Sequence, residues 1–211
     1  MGAIERDGLG VLGQGLPFAA AGQRIGLLGG SFDPPHRGHV HISKAALKRF
    51  NLDQVWWLVS PGNPLKKDAP AAMEKRLAAC RAISDHPRIK VTDFEARVGT
   101  RYTAETLQAI FTRRRGVKFV WLMGADNLAQ FHRWQHWEWI MENVPVGVIA
   151  RPGDRTSARM SKAAKRYEGY RLRGTQSGIL ADSPPPAWCF INVPMVDVSS
   201  TQIRARGEWA R

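Results

Sequence analysis

The stretch RIGLLGGSFDPPHRGH, residues 24–39, carries the strongest structural pattern in the chain. Its first five residues form a short apolar run, and the two glycines that follow predict a buried strand ending in a tight turn. Asp33-Pro34-Pro35 stiffens the turn, and Gly38 and His39 are predicted to open a helix. Because glycine has no Cβ, the backbone after this strand can approach a ligand closely.

Strand-like and helix-like segments alternate along the rest of the chain, which indicates an α/β protein with a mostly parallel sheet covered by helices on both faces. Strands are predicted at 24–28, 55–59, 89–94, 117–123, 144–150 and 189–193. Helices are predicted at 38–50, 71–84 and 103–115, in an aromatic-rich segment after Asp126, and from Ser199 onward. Ligands of such sheets bind outside the C-terminal ends of the strands. Turn residues fall at four of these ends: Gly29-Gly30, Pro61-Gly62, Gly124-Ala125-Asp126 and Arg151-Pro152.

The length of 211 residues suits one domain, predicted at 23–211 and preceded by a flexible extension at 1–22. Glycine and proline interrupt the apolar part of that extension, which argues against an export signal. No run of 18 apolar residues occurs, so no membrane-spanning helix is predicted. Cys80 and Cys189 match no metal or redox spacing, which favours a reducing compartment, the cytoplasm.

The chain is strongly basic, with 31 Lys and Arg against 18 Asp and Glu and a net charge of +13. Such an excess suits a partner rich in phosphate, whether a nucleotide, a nucleic acid or a membrane lipid. Residues 151–175 hold eight of these basic residues against two acids. Three interpretations of that segment stay open: a solvated face or mobile loop, a flap that attracts phosphate to the site, and a nucleic-acid patch.

His36 and His39 stand three residues apart at the predicted start of the first helix. A helix start offers unpaired N–H groups and partial positive charge, which suit a phosphate, and both rings can donate hydrogen bonds to the same spot. Two alternatives stay open. The pair could bind a metal, although no third and fourth ligands are evident, or the histidines could be ordinary polar turn residues.

A second helix start is predicted in VSSTQIR, residues 198–204. Ser199 and Gln202 have the spacing of a capping box. Ser200 and Thr201 add hydroxyl groups, and Arg204 adds a guanidinium. Together with the histidine loop, this segment suggests two helix starts that grip one polyphosphate.

Four segments together resemble a known family. GGSFDPPHRGH resembles the nucleotidyltransferase signature G-x-F-D-P-x-H-x-G-H, and VSSTQIR resembles I-S-S-T-x-I-R, with Val198 in place of the usual Ile. RYTAETL, residues 101–107, resembles a Y-T-x-x-T-L element, and Gly124-Ala125-Asp126 followed eight positions later by Trp134 resembles a further one. The combination covers about residues 24–206 and is similar to the bacterial nicotinate-nucleotide adenylyltransferases.

The resemblance implies a Rossmann-like nucleotidyltransferase fold and a reaction in NAD biosynthesis. The adenylyl group of ATP would pass to nicotinate mononucleotide, giving nicotinate adenine dinucleotide and pyrophosphate. Positioning and electrostatics can supply this catalysis without a covalent enzyme intermediate. The implied partners are ATP and nicotinate mononucleotide, not nucleic acid or a membrane. The implied cofactor is Mg²⁺, held mainly by the ATP phosphates and not by metal ligands of the protein.

The resemblance also implies roles for individual residues. His36, His39 and Arg204 would be catalytic. The ATP contacts would be Gly29, Gly30, Ser31, Phe32, His36, His39, Lys66, Ser200, Thr201 and Arg204. The nicotinate mononucleotide contacts would be Tyr102, Thr103, Asp126 and Trp134. On the residues alone, Trp134 has the alternative of being a core aromatic, and Asp126 that of capping the following helix.

Two other functions are considered. A sister transferase would act on phosphopantetheine or on a cytidylyl substrate, but the Tyr102–Leu107 element and Trp134 argue against both. A basic nucleic-acid-binding protein could retain an inactive nucleotide fold. The complete set of His36, His39 and Arg204 argues against that alternative.

Overall fold

A computed structural model describes residues 15–62, 69–150, 155–194 and 198–211. Seven strands form one sheet in the order β3-β2-β1-β4-β5-β7-β6, and each neighbouring pair is parallel. The strands are β1 (Arg24–Gly30), β2 (Gln54–Val59), β3 (Ile89–Thr92), β4 (Lys118–Gly124), β5 (Val146–Ala150), β6 (Arg171–Leu172) and β7 (Trp188–Asn192). The predicted α/β class with a mostly parallel sheet is confirmed.

Helices connect the strands as crossovers, as parallel pairs require. Within the described residues they are α1 (Arg37–Arg49), α2 (Met73–Ile83), α3 (Phe94–Val98), α4 (Thr103–Arg113), α5 (Ala125–Gln130), α6 (Trp137–Asn143), α7 (Arg155–Arg159), α8 (Lys162–Arg166) and α9 (Ser200–Ala205). Short 3₁₀ turns lie at Phe131–Arg133, Glu168–Tyr170 and Gly174–Asp182.

The order of the strands reverses at β1. The chain runs outward from β1 through β2 to β3, then returns to place β4 on the other side of β1. At such a switch point the connections leave the sheet in opposite directions, and a crevice opens at the C-terminal ends of the two strands. The loop after β1 and the start of α5 after β4 both lie there.

The core lies on both faces of the sheet, and β2 shows why its sequence is an unbroken apolar run. Trp56 and Leu58 pack into one buried cluster, whereas Val55, Trp57 and Val59 pack into the other. Side chains of a strand alternate between faces, so a strand buried on both sides needs apolar residues at every position. The sheet therefore forms a rigid base for the loops at its C-terminal edge.

The predicted elements are found with shifted ends, with one clear exception. The aromatic-rich segment after Asp126 is not a single helix but α5, a 3₁₀ turn and α6. Trp134 lies between them in an extended conformation, with ψ of 140°, and His136 has a left-handed φ of 54°. The predicted third strand also stops early, at Thr92, because the chain turns there into the short helix α3.

The basic segment is folded in its described part. Ala158, Ala163 and Tyr167 are buried in the core, while Arg159 and Lys162 are exposed. The helices α7 and α8 therefore present a basic surface anchored by small apolar residues, and the mobile-loop interpretation is wrong for residues 155–175. Arg151 and Pro152 lie outside the described residues.

The N-terminal segment is described from Gly15 onward, and residues 1–14 lie outside that range. Leu16 is buried in the core, and the Gly15 carbonyl accepts a hydrogen bond of 2.7 Å from the Thr92 hydroxyl. The backbone N–H of Gly22 donates to the Gly116 carbonyl at 2.7 Å. The described end of the predicted extension thus packs against the domain. Within the described chain, no helix has the length and apolar character needed to span a membrane.

Candidate active site

The C-terminal end of β1 approaches the neighbouring strand too closely for a side chain. A Cβ on Gly29 would lie 2.6 Å from Cη2 of Trp121 on β4, far inside van der Waals contact. Phe32 adopts a left-handed φ of 46°, which is costly for a bulky residue. Its buried ring stacks on Trp57 at a centroid distance of 5.0 Å, and this packing holds the strained backbone.

The two histidines of this loop cap their own helix. His36 is the N-cap residue of α1, and its Nδ1 accepts from the Gly38 N–H at 3.2 Å. Nδ1 of His39 accepts from the His36 N–H at 3.1 Å, which completes a reciprocal capping box. A neutral ring whose Nδ1 is an acceptor carries its proton on Nε2. The backbone thus sets both rings to present an Nε2–H donor.

A buried arginine, Arg76 on α2, holds this loop by hydrogen bonds to backbone carbonyls. It is 1% exposed and donates to the carbonyl oxygens of Ser31 at 2.7 Å, Ser60 at 2.8 Å and Ala71 at 2.7 Å. Burial lowers the pKa of this guanidinium. An arginine within a helix usually lies on the solvated side, so the sequence offered no sign of this role. Arg76 ties together the loops that follow β1 and β2.

The C-terminal helix α9 packs against the same loop. The Ser199 hydroxyl accepts from the Gln202 N–H at 3.2 Å, as the predicted cap requires. The Ser200 hydroxyl donates to the Pro34 carbonyl at 2.8 Å, and Nη1 of Arg204 donates to the Asp33 carbonyl. The two predicted helix starts are therefore joined by direct hydrogen bonds.

One cavity of about 510 Å³ lies at the switch point between β1 and β4. Ten of the predicted site residues line it: Gly29, Gly30, Ser31, Phe32, His39, Tyr102, Thr103, Asp126, Trp134 and Ser200. His36, Thr201 and Arg204 are not in its wall but adjoin it through His39 and Ser200. Lys66 lies outside the described residues.

The start of α4, the start of α5 and Trp134 also line the cavity. Tyr102 is the N-cap residue of α4, and no side chain caps this helix start. Trp134 packs edge-on against Trp121 and Phe131, at centroid distances of 6.3 and 5.2 Å, so it is only partly a core residue.

Asp126 lines the cavity and makes no capping hydrogen bond, since the N-cap residue of α5 is Gly124. Its alternative role as a helix cap is wrong.

Several cavity residues were missed by sequence reasoning. Arg101 and Arg133 adjoin the predicted Tyr102 and Trp134 in the chain, and that adjacency was the available signal. Glu95 had none, because a carboxylate on a short helix is normally solvated. Burial raises the pKa of Glu95 to about 7, although a hydrogen bond with Thr106 opposes the shift. A buried, readily protonated acid therefore lies beside the start of α4.

Comparison with known proteins identifies the family. A cytidylyltransferase-like family matches residues 27–206. A probable nicotinate-nucleotide adenylyltransferase from Ruegeria pomeroyi is 61% identical over 93% of this chain and 92% of its own length. One from Methylorubrum extorquens is 47% identical over 87% of this chain and 100% of its own length.

Among solved structures, the Plasmodium falciparum nicotinic acid mononucleotide adenylyltransferase complexed with NaAD has a TM-score of 0.66. It is 16% identical, and the match covers 87% of this chain and 83% of that one. At this identity the likeness concerns the fold alone. The chain belongs to the cytidylyltransferase-like nucleotidyltransferases, as the parallel sheet and the histidine loop on β1 already indicate. Within that class it belongs to the nicotinate-nucleotide adenylyltransferases, and the predicted family is confirmed.

Proposed function

We propose that this chain transfers the adenylyl group of ATP to the 5′-phosphate of nicotinate mononucleotide in the cavity at the switch point. One observation carries the proposal: the same cavity is lined by the histidine loop and by Tyr102, Thr103 and Trp134. Its volume of about 510 Å³ lies within the range of small-molecule sites. Both reacting phosphates can then meet in one cleft.

At the histidine end, the reaction needs donors where charge develops on the departing pyrophosphate. The Nε2–H groups of His36 and His39 supply two donors whose orientation is set before ATP binds. Gly29 and Gly30 would line the triphosphate site with their backbone, and the rings of Trp121 and Phe32 fill the space that their side chains would need. Arg204 would add its charge next to the β- and γ-phosphates, from a position set by the Asp33 carbonyl.

At the other end, the carboxylate of the nicotinate ring would bind the uncapped start of α4. The backbone N–H groups of Tyr102 and Thr103 and the helix dipole favour an anion there. Trp134 would stack on the pyridine ring, and Asp126 would accept from a ribose hydroxyl. A neutral amide in this position would direct its NH₂ group at donors and leave them without an acceptor.

Mg²⁺ would enter on the phosphates of ATP and neutralise their charge during transfer. In the part of the chain that the structure describes, no three His, Cys, Asp or Glu side chains form a cluster suited to a metal. The buried carboxylate nearest the histidines, Asp33, is engaged by Trp209 and Arg211. This donor set fits an ion whose ligands are phosphate oxygens and water, not a protein cage. With two reduced, buried cysteines, we expect the enzyme to work in the cytoplasm.

A pyrophosphate-release assay tests the proposal. The purified protein is given ATP and Mg²⁺ with one acceptor at a time: nicotinate mononucleotide, nicotinamide mononucleotide or phosphopantetheine, and CTP replaces ATP as a donor control. We expect kcat/KM for the acid to exceed that for the amide by at least about 100-fold, because unpaired donors penalise the amide. Equal efficiency with the two pyridine nucleotides would disprove the assigned role of α4 while leaving adenylyl transfer intact.

A further inference from the structure

The segment after α9 folds back onto the histidine loop. Nε1 of Trp209 donates to Oδ1 of Asp33 at 2.7 Å, and Nε of Arg211 donates to Oδ2 of the same carboxylate at 3.0 Å. Nζ of Lys75 on α2 donates to the Ala210 carbonyl at 2.6 Å and lies 4.5 Å from the Trp209 ring centroid. The family match ends at residue 206, so both donors to Asp33 lie beyond it.

The contacts of Trp209 and Arg211 reach the site through the side chain of Asp33. Its side chain is only 3% exposed, and it lies three residues before His36. Burial alone would raise the pKa of Asp33, but hydrogen bonds from Trp209, the Ala71 N–H and Arg211 lower it overall. Asp33 is therefore ionised although it is buried. Removal of one partner from a buried charge is strongly destabilising, so each hydrogen bond to this carboxylate matters.

The other attachments of the loop hold this carboxylate less closely: the Ala71 N–H donates to Oδ1 at 3.2 Å, and Nη1 of Arg204 lies 4.0 Å from Oδ2. Arg76 holds the Ser31 carbonyl, and α9 holds the carbonyls of Asp33 and Pro34. Those bonds fix backbone positions on either side of the carboxylate. The only side chains that donate to the carboxylate within hydrogen-bond distance, among described residues, are Trp209 and Arg211.

We infer that Trp209 and Arg211 are positioning residues, which fix the Asp33 carboxylate and so the loop that directs His36 and His39 at the ATP phosphates. The inference rests on the roles proposed above for the two histidines. Neither residue lies in the cavity wall, so each acts through Asp33 and not on the substrate. A loop displaced by about 1 Å can lower turnover by as much as 100-fold.

The test compares Trp209→Phe and Arg211→Gln with two matched variants. Trp209→Phe removes the N–H donor and keeps a ring beneath Lys75. Arg211→Lys keeps the charge, and Arg206→Gln is a control, because Arg206 is exposed and its ion pair reaches only Glu208 at 4.0 Å. Steady-state pyrophosphate release and the melting temperature are measured for each variant.

We expect kcat to fall about 10-fold in Trp209→Phe and in Arg211→Gln, because each removes a side-chain donor from one oxygen of the buried Asp33 carboxylate. KM for nicotinate mononucleotide is expected to stay unchanged, because the hydrogen bonds described above join this segment to Asp33 and α2 and not to α4 or Trp134. Arg211→Lys keeps most of the activity, and Arg206→Gln keeps all of it. In an Asp33→Asn background, Trp209→Phe has little further effect, since the two residues act as a unit.

Unchanged kcat in both donor variants would overturn the inference. So would a parallel decline of kcat, acceptor affinity and melting temperature, which would mark general destabilisation. The two proposals fail separately. If His39→Ala keeps its turnover, the roles of the histidines are wrong; if His39→Ala is inactive while the Trp209 and Arg211 variants are normal, only the positioning role is wrong.

Discussion

Two helices begin beside the same cavity, and they differ in whether side chains accept hydrogen bonds from their first backbone N–H groups. At the start of α1, side chains of the helix itself occupy the N–H groups of His36 and Gly38. At the start of α4, no side-chain cap is present. The first end therefore offers ring donors to a ligand, whereas the second offers the backbone itself.

This difference determines how a substitution can affect each of the two helix starts. A donor on a side chain can be removed by one substitution, and its position depends on everything that holds the ring. A backbone donor survives every side-chain substitution that leaves the helix intact. We therefore expect mutations at the histidine end to affect turnover, and mutations at the α4 end to affect acceptor affinity more than acceptor choice.

The largest effect is expected for His39→Ala. We expect kcat to fall about 10²–10³-fold, because a donor to developing charge is lost, while the protein stays folded. His41→Ala is the matched control on the same helix, since its ring contacts the Pro194 carbonyl and does not line the cavity. Steady-state kinetics and circular dichroism check both variants. Near-normal turnover of His39→Ala would break the contrast between the two helix starts.

The second effect is expected for Glu95, the buried acid beside the start of α4. Since folding raises the pKa of Glu95 from 4.5 to about 7, the folded state binds more protons than the unfolded state between these values. The stability of the wild type therefore includes a penalty that grows from pH 4.5 to 7 and is complete above pH 7. We expect Glu95→Gln to remove this penalty, a relative gain of up to about 3 kcal/mol at pH 8.

Denaturant unfolding at pH 5 and pH 8 measures this gain, with Glu168→Gln, an exposed carboxylate, as the control. Parallel pH profiles for wild type and Glu95→Gln would show that Glu95 is an ordinary solvated acid. The result sharpens the comparison, because an acid with a pKa of about 7 is mostly protonated below that pH and can then lie beside a site for an anion without repelling it.

The smallest effect is expected for Trp134→Ala. Loss of stacking should raise KM about 10-fold for nicotinate and nicotinamide mononucleotides alike, without reversing the preference for the acid. Trp139→Ala, which removes a ring packed against Phe111, controls for lost packing. A reversed preference in Trp134→Ala would mean that the side chain, and not the start of α4, selects the acceptor.

The sequence predicted those parts of the molecule that depend on short-range pattern. Apolar runs and glycines located β1 and its loop, and a capping pair located α9. The ends of parallel strands meet at one edge of a sheet, which is why Gly30 and Asp126 could be expected at one site. Ser200 was added by pairing two predicted helix starts, and Tyr102 by the family resemblance.

The parts that escaped prediction depend on tertiary contact. Arg76 can be buried because it donates hydrogen bonds to three backbone carbonyls. The sequence of its own helix gives no sign of these contacts. Trp209 reaches Asp33 across 176 positions of chain. The basic segment was not predicted as helices, because α7 and α8 are too short for helical periodicity and are stabilised by packing of Ala158 and Ala163 on the core.

The hydrogen bond between Arg204 and Asp33 joins groups 171 positions apart, and this separation has a consequence for synthesis. The histidine loop leaves the ribosome well before α9 does. A sheet built only from parallel pairs offers no hairpin that could form the site locally, and such non-local contacts form slowly. A nascent chain therefore carries the histidine loop without the contacts from Arg204 and Ser200 until α9 has emerged.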